Sequence, residues 1–163
     1  MMADPQPVKL SILDRLIDEN PGVQSEAAPP AAQAQRTLYA AVRRDLEDLL
    51  NTRRRVAELP QGMSALEQSL VNYGIPDFTG INLSSLASRQ KFVRLIEAVI
   101  RRYEPRYKRI RVVLLDNAEP LDRTLRFRID AVLYAEPSPE KVVFDSALEP
   151  VTGTVEVRGS SDV

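Results

Sequence analysis

The chain contains no histidine and no cysteine. Ser-His-Asp chemistry, imidazole acid–base catalysis, thiolate nucleophiles and His- or Cys-ligated metal centres are therefore excluded. Any catalysis would have to rest on carboxylates, lysine, tyrosine or serine. The carboxylates to consider are Glu104, Asp116, Glu119, Asp122, Asp130 and Asp145. A glycoside-hydrolysing pair needs two such groups about 5–10 Å apart, one as acid and one as base or nucleophile. No motif fixes any two of them in that relation. Most are flanked by arginine or stand at the ends of β-rich segments, where solvated or ion-paired charge is the usual role. With only six glycines in the chain, no glycine-rich phosphate loop can be found. No cofactor and no metal is expected.

The second chemical feature is cationic. Arg101, Arg102, Arg106, Lys108, Arg109 and Arg111 fall within eleven residues, opposed only by Glu104. The run reads either as a phosphate-binding patch or as a helix end whose cations complement the helix dipole. Arg53, Arg54 and Arg55 allow the same two readings. Only Tyr103 and Tyr107 interleave the cations, and no recognition helix, RNP motif or metal finger accompanies them. Lys+Arg is 22 and Asp+Glu is 23, for a net charge of −1. That balance argues against a non-specific nucleic-acid coat, so no nucleic-acid partner is expected.

The third feature is the corner Glu104-Pro105-Arg106 between a helix and a strand. Pro105 fixes the exit angle, and Glu104 and Arg106 flank it. They read either as an intramolecular ion pair that closes the turn or as a pair of charged groups offered to a partner. The arginine fork suits bidentate binding of a carboxylate.

The elements that position these residues follow from periodicity. At 163 residues, 44% hydrophobic and 28% charged, the chain is the size of one ordinary soluble domain. Residues 1–19 hold an amphipathic helix with Leu10, Leu13, Leu16 and Ile17 on its apolar side, stopped by Pro21 and Gly22. Residues 20–35 are rich in proline and alanine and read as a flexible tether. Residues 36–163 form the α+β domain. Its first helix carries Leu38, Tyr39, Val42, Leu46, Leu49 and Leu50 on one face. A capping box, Ser64-Ala65-Leu66-Glu67, opens a short helix with Leu66, Leu70 and Val71 as its apolar residues. Gly74 and Pro76 follow it as C-terminal punctuation. A last helix opens at Ser84 or Ser85 and presents Leu86, Val93, Ile96, Val99, Ile100 and Tyr103 before Pro105 ends it. The period then changes to two. Strands are expected at Ile110–Leu115, Leu125–Tyr134, Val142–Leu148 and around Val151, Val155 and Val157. Helices followed by consecutive strands predict N-terminal helices packed on a mostly antiparallel sheet of about four strands.

No apolar stretch approaches the ~20 residues that span a bilayer, and the N-terminus lacks the basic and apolar regions of a signal peptide. A cytoplasmic protein without membrane association is expected.

Five pieces carry a resemblance in order along the chain: Ser11-Ile12-Leu13-Asp14-Arg15-Leu16; Arg44-Asp45-Leu46-Glu47-Asp48-Leu49-Leu50-Asn51-Thr52-Arg53; Ser69-Leu70-Val71-Asn72-Tyr73-Gly74-Ile75-Pro76-Asp77; Glu104-Pro105-Arg106; and Val143-Phe144-Asp145-Ser146 with Pro150-Val151-Thr152-Gly153. Together they resemble the TssE family of baseplate subunits of bacterial type VI secretion systems. That family is similar to the lysozyme-like wedge proteins of contractile phage tails. The resemblance implies a structural protein of a hetero-oligomeric baseplate, with the wedge subunits TssF and TssG and the contractile sheath subunits as partners. It also implies help in starting sheath assembly. Glu-Pro-Arg is the family's characteristic element, which implies an assembly contact for Glu104, Pro105 and Arg106.

The residues alone add two partner surfaces. A helix as short as Leu10–Glu19 is unstable by itself, so Leu13, Leu16 and Ile17 need a surface to cover, either a partner's groove or the chain's own domain. An outer strand of the sheet can accept a partner strand, with the open edge undetermined. The alternatives to a scaffold are a peptidoglycan-hydrolysing lysozyme-like enzyme and a nucleic-acid-binding module. The chain is expected not to hydrolyse peptidoglycan, residues 20–35 to be mobile, and alanine at Glu104 or Arg106 to weaken assembly while leaving the domain folded.

Overall fold

The computed structural model describes Ile12, Leu16, Gly22 and residues 31–54, 62–67, 69–77, 85–117, 122–134 and 139–159. Helix α1 spans Ala31–Asn51. A single turn, α2, spans Ser64–Glu67 and is followed by a 3-10 turn at Leu70–Asn72. Helix α3 spans Leu86–Tyr103. Strands β1 (Tyr107–Leu114), β2 (Leu125–Leu133), β3 (Glu140–Glu149) and β4 (Thr154–Gly159) then form a four-stranded antiparallel meander in the order β1-β2-β3-β4. The α+β class and helices-before-strands order are as the periodicity predicts.

Strands β2 and β3 alternate along their length. In β2, Leu125, Phe127, Ile129, Ala131 and Leu133 are buried while Arg126 and Arg128 are exposed. The apolar side meets Leu38, Val42, Leu46, Leu49 and Leu50 of α1 and Phe92, Val93, Ile96 and Ile100 of α3 in one core. Helix α3 packs against β1, and α1 against β4. Each fully buried Leu, Ile or Phe contributes roughly 1.5–3 kcal/mol, so this two-layer core supplies the stability that holds everything described below.

Helix α1 begins five residues earlier than expected, so residues 31–35 are helix and not tether. Alanine is the best helix former. Ala34 is buried one turn before Leu38, and Gln35 donates to Tyr39 Oη at 3.1 Å and to Glu140 at 2.5 Å. Residues 20–30, apart from Gly22, lie outside the described residues, as do Leu13 and Ile17. Ile12 and Leu16 are helical, and Leu16 is 74% exposed.

The expected helix after Ser64 is divided. The Ser69 hydroxyl donates to Leu66 O at 2.7 Å and accepts from Val71 N at 3.3 Å. It thereby competes with helical hydrogen bonding and restarts the chain as a 3-10 turn. Leu70 and Val71 consequently face solvent and form no apolar face. In α3, Ser85 is the N-cap, accepting from Ser88 N at 3.1 Å. Leu86 is exposed, and Phe92 takes its place in the core. Val151 falls in the β3–β4 turn, 88% exposed, and β4 starts only at Thr154.

Candidate assembly site

The corner at the end of α3 is built by backbone first. Glu104 N donates to Ile100 O at 2.9 Å and closes the helix. Pro105 turns the chain outward and is exposed. Tyr134 N then donates to Arg106 O at 2.9 Å, which ties the corner to the far end of β2.

The side chains turn back on themselves. Arg106 Nε donates to Glu104 Oε1 at 2.7 Å, and Arg106 Nη2 donates to Glu104 Oε2, a bidentate fork. The Arg106 amide also donates to Glu104 Oε1 at 3.2 Å. Arg106 Nη2 reaches further, to Asp45 Oδ2 on α1 at 2.7 Å. Asp45 in turn accepts from Arg44 Nη2 at 2.9 Å through its other oxygen. The result is a chain of alternating charge, Glu104–Arg106–Asp45–Arg44, that staples the first helix to the helix–strand corner. Of the two readings open for the corner, the intramolecular ion pair is made, with Asp45 as a third member. The Glu104 side chain is only 8% exposed, against 24% for Arg106 and 33% for Asp45. The hydrogen bonds that Arg106 donates to Glu104, reinforced by both carboxylate charges, hold its guanidinium well above its usual pKa.

Tyr73-Gly74-Ile75 packs alongside. The Tyr73 ring meets Tyr103 edge-on, with centroids 5.3 Å apart. Burial, then the charges of Asp45, Asp48 and Glu104, push its phenol up. Gly74 has φ +98, and a Cβ there would lie 2.3 Å from the Thr52 carbonyl oxygen. Only glycine permits this approach, which lets Ile75 N donate to Thr52 O at 3.0 Å and Arg54 N to Ile75 O at 2.8 Å. The segment after α1 is thereby clamped beside the corner. Beneath it, Tyr107 is buried with its hydroxyl unpartnered among the described residues, and burial together with the Glu104 charge raises its pKa.

A second set of side chains was not foreseen from the sequence. Asn51, the last residue of α1, donates from Nδ2 to Val155 O at 2.9 Å and accepts from Val155 N at 2.9 Å. Arg43 donates to Val157 O at 3.2 Å, and Arg53 donates to Gly153 O. These bonds occupy the side of β4 that faces away from β3. At the other margin of the sheet, the Val112 amide donates to Glu97 Oε2 at 3.0 Å and so points away from β2. The alternation of the antiparallel ladder turns Ile110 and Leu114 to that same margin.

Three of the carboxylates considered for catalysis are engaged separately. Asp122 pairs with Arg126 at 3.2 Å, Asp145 with Arg128 at 2.8 Å, and Glu104 with Arg106. Glu119 lies outside the described residues. Among the described residues no group of three or more metal-ligating side chains could hold a metal ion. No helix among them is long and apolar enough to cross a membrane.

Residues 36–138, well over half of the chain, match the family described as baseplate wedge protein gp25. The chain belongs to this family. It is a structural baseplate component of the gp25 wedge kind. The matched span contains Asp45, Tyr73, Gly74, Glu104, Pro105 and Arg106, and ends before β3. One solved structure, "The baseplate complex from the type VI secretion system", is similar to the chain at 18% sequence identity and a TM-score of 0.48. The alignment covers 72% of this chain and 98% of that one. No curated protein matches the chain.

Proposed function

We propose that this wedge protein serves a type VI secretion apparatus in the cytoplasm as a non-enzymatic part. It connects the wedge subunits TssF and TssG to the contractile sheath and helps to start sheath assembly. The observation that carries this reading is the gp25 family match across the stapled corner. The ordered motifs outside that span, Ser11–Leu16 and Val143–Gly153, support the type VI branch.

In this reading Glu104 sets Arg106 rigidly, and Pro105, Arg106 and Asp45 form the surface a partner meets. A preset guanidinium loses little conformational entropy on binding. Leu13, Leu16 and Ile17 form the apolar side of a helix that enters a partner's groove, and the exposure of Leu16 in the isolated chain supports an external partner over docking back. A sheath strand adds to β1, whose margin is met by Glu97 at the Val112 amide, rather than to β4, whose margin is met by Arg43, Asn51 and Arg53.

The test is co-expression of the full chain with TssF and TssG, followed by addition of sheath subunits. A stable complex is expected, with sheath binding slowing amide exchange at Ile110 and Leu114 but not at Val157. Failure to associate with TssF and TssG would overturn the type VI assignment. Protection at Val157 instead would overturn the choice of edge. Turnover of peptidoglycan by the purified chain would overturn the non-enzymatic reading.

A further inference from the structure

The side of the sheet turned away from the helices is electrically divided. Toward one end every arginine is neutralised: Arg126 by Asp122, Arg128 by Asp145, and Arg158 by Glu156. Toward the other end the cations Lys108, Arg109, Arg111 and Lys141 outnumber the one carboxylate among them, Asp130. Arg109, Val132 and Lys141 stand in one cross-strand row, and Arg111 and Asp130 in the next. A β-bulge between Tyr107 and Arg109 inserts Lys108 as an extra residue. Tyr107 and Ile110 therefore both point into the core while Lys108 and Arg109 are both exposed. Bulges commonly re-aim side chains in this way. Among the described residues, Lys108, Arg109, Arg111 and Lys141 make no ion pair or side-chain hydrogen bond. The chain as a whole has a net charge of −1, so this excess is local.

These side chains rim an open depression of about 690 Å³ that Arg101 also borders. Its floor includes the half-buried Val132 and Val143. Arg109 and Arg111 lie two residues apart, about 7 Å along the strand, and Lys141 lies two strands over, about 10 Å across. We infer that this end of the outer sheet face is a docking surface for an acidic protein segment, one whose carboxylates recur about 7 Å apart around an apolar side chain. Alternate residues of an extended chain have that spacing.

The layout selects protein over nucleic acid. Asp130 stands inside the patch; a peptide backbone can donate an N–H to it, whereas a phosphate backbone has no donor to offer. The apolar floor suits an amino-acid side chain. A duplex running along the face would meet Asp145, Glu149 and Glu156 at the other end, whereas a short acidic segment needs only the basic end. The surface uses neither the Glu104–Arg106–Asp45 cluster nor the type VI assignment.

The test uses the full chain and a short fluorescein-labelled peptide alternating Glu and Val, read by anisotropy. The wild type is expected to bind it, more weakly as salt rises, and to bind the Gln-for-Glu version at least tenfold less. Arg109→Glu with Lys141→Glu should lower affinity about tenfold or more, roughly 1.4 kcal/mol or above. Arg158→Glu, at the neutralised end, should change it less than about twofold. Melting temperatures of both variants check that they fold. Absence of peptide binding by the wild type, equal binding by the Arg109/Lys141 variant, or tighter binding of a DNA duplex that the same reversal abolishes would each overturn the inference.

Discussion

Replacing Arg106 with alanine should destabilise the protein by about 3 kcal/mol, although the residue sits at a surface corner. The size follows from what the arginine leaves behind. The Glu104 carboxylate, 8% exposed, accepts from Arg106 Nε, Arg106 Nη2 and the Arg106 amide. After truncation only the amide contact remains. Removing one partner of a buried ion pair typically costs about 3–5 kcal/mol. The partial exposure of Arg106 and Asp45 places this case at the low end. For a chain of this length each kcal/mol shifts the melting temperature by about 2–4 °C, so a fall of about 6–12 °C is expected by calorimetry or thermal circular dichroism. Asp45→Ala, which removes only the more exposed member, should cost about 1 kcal/mol. Replacing both charges with apolar side chains, Glu104→Leu with Arg106→Met, should recover much of the loss, because no uncompensated charge stays buried. The outcome that refutes the reasoning is a shift under about 2 °C for Arg106→Ala, or a double variant less stable than the single one. Binding measured on these variants must be compared at temperatures where each is folded, and the double variant is then the cleaner probe of a partner contact.

Gly74→Ala should cost more than about 3 kcal/mol or abolish soluble expression, since it combines a strained φ with a clash against the Thr52 carbonyl; chemical denaturation measures it. Asn51→Ala should cost about 2 kcal/mol by stripping both partners from the Val155 backbone, and faster amide exchange at Val155 would locate the loss. Tyr107→Phe should stabilise the protein by about 1 kcal/mol at neutral pH by removing a buried, unpartnered hydroxyl. The Tyr107 phenol ionises at higher pH in the folded state than in the unfolded chain. Its contribution is therefore fully present below about pH 10, the unfolded value, and is lost as pH rises further. A melting series across that range should show stability falling in the wild type and falling less in Tyr107→Phe, with Tyr73 keeping part of the slope.

What could be read from the sequence was periodic or local. Alternation in Leu125–Leu133 marked β2 to within a residue, and Ser85 and Pro105 bracketed α3, because each signal acts over one turn or one pleat. Ala34 escaped because alanine carries little hydrophobic signal and its burial depends on a sheet that forms later in the chain. Asp45 escaped for a related reason: its partner Arg106 is 61 residues away, and on α1 it reads as one more charge on a solvated face. The corner itself was recognised as chemically distinctive, but burial of Glu104 depends on how α1 lies across it. The basic run dissolved into separate roles. Arg106 turned inward, Arg101 paired with Glu97 at 2.7 Å, and Lys141 joined the remaining cations from a strand thirty residues on. Cross-strand register decides such groupings, and no local pattern encodes it.

Helix α1 links the two features through which the wedge protein is proposed to assemble. Asp45 binds the corner at the end of α3, while Arg43, Asn51 and Arg53 seal the opposite margin of the sheet. A meander with two open margins can be extended on both sides and so can polymerise on itself. One with a sealed margin can accept a strand on one side only. The side-chain amide of Asn51 satisfies both backbone groups of Val155, as a neighbouring strand would, yet it offers no further edge for another strand to join. On the proposed reading, such a fold suits starting an array more than propagating one. The corner that fixes α1 in place is, on this view, also what keeps β4 closed.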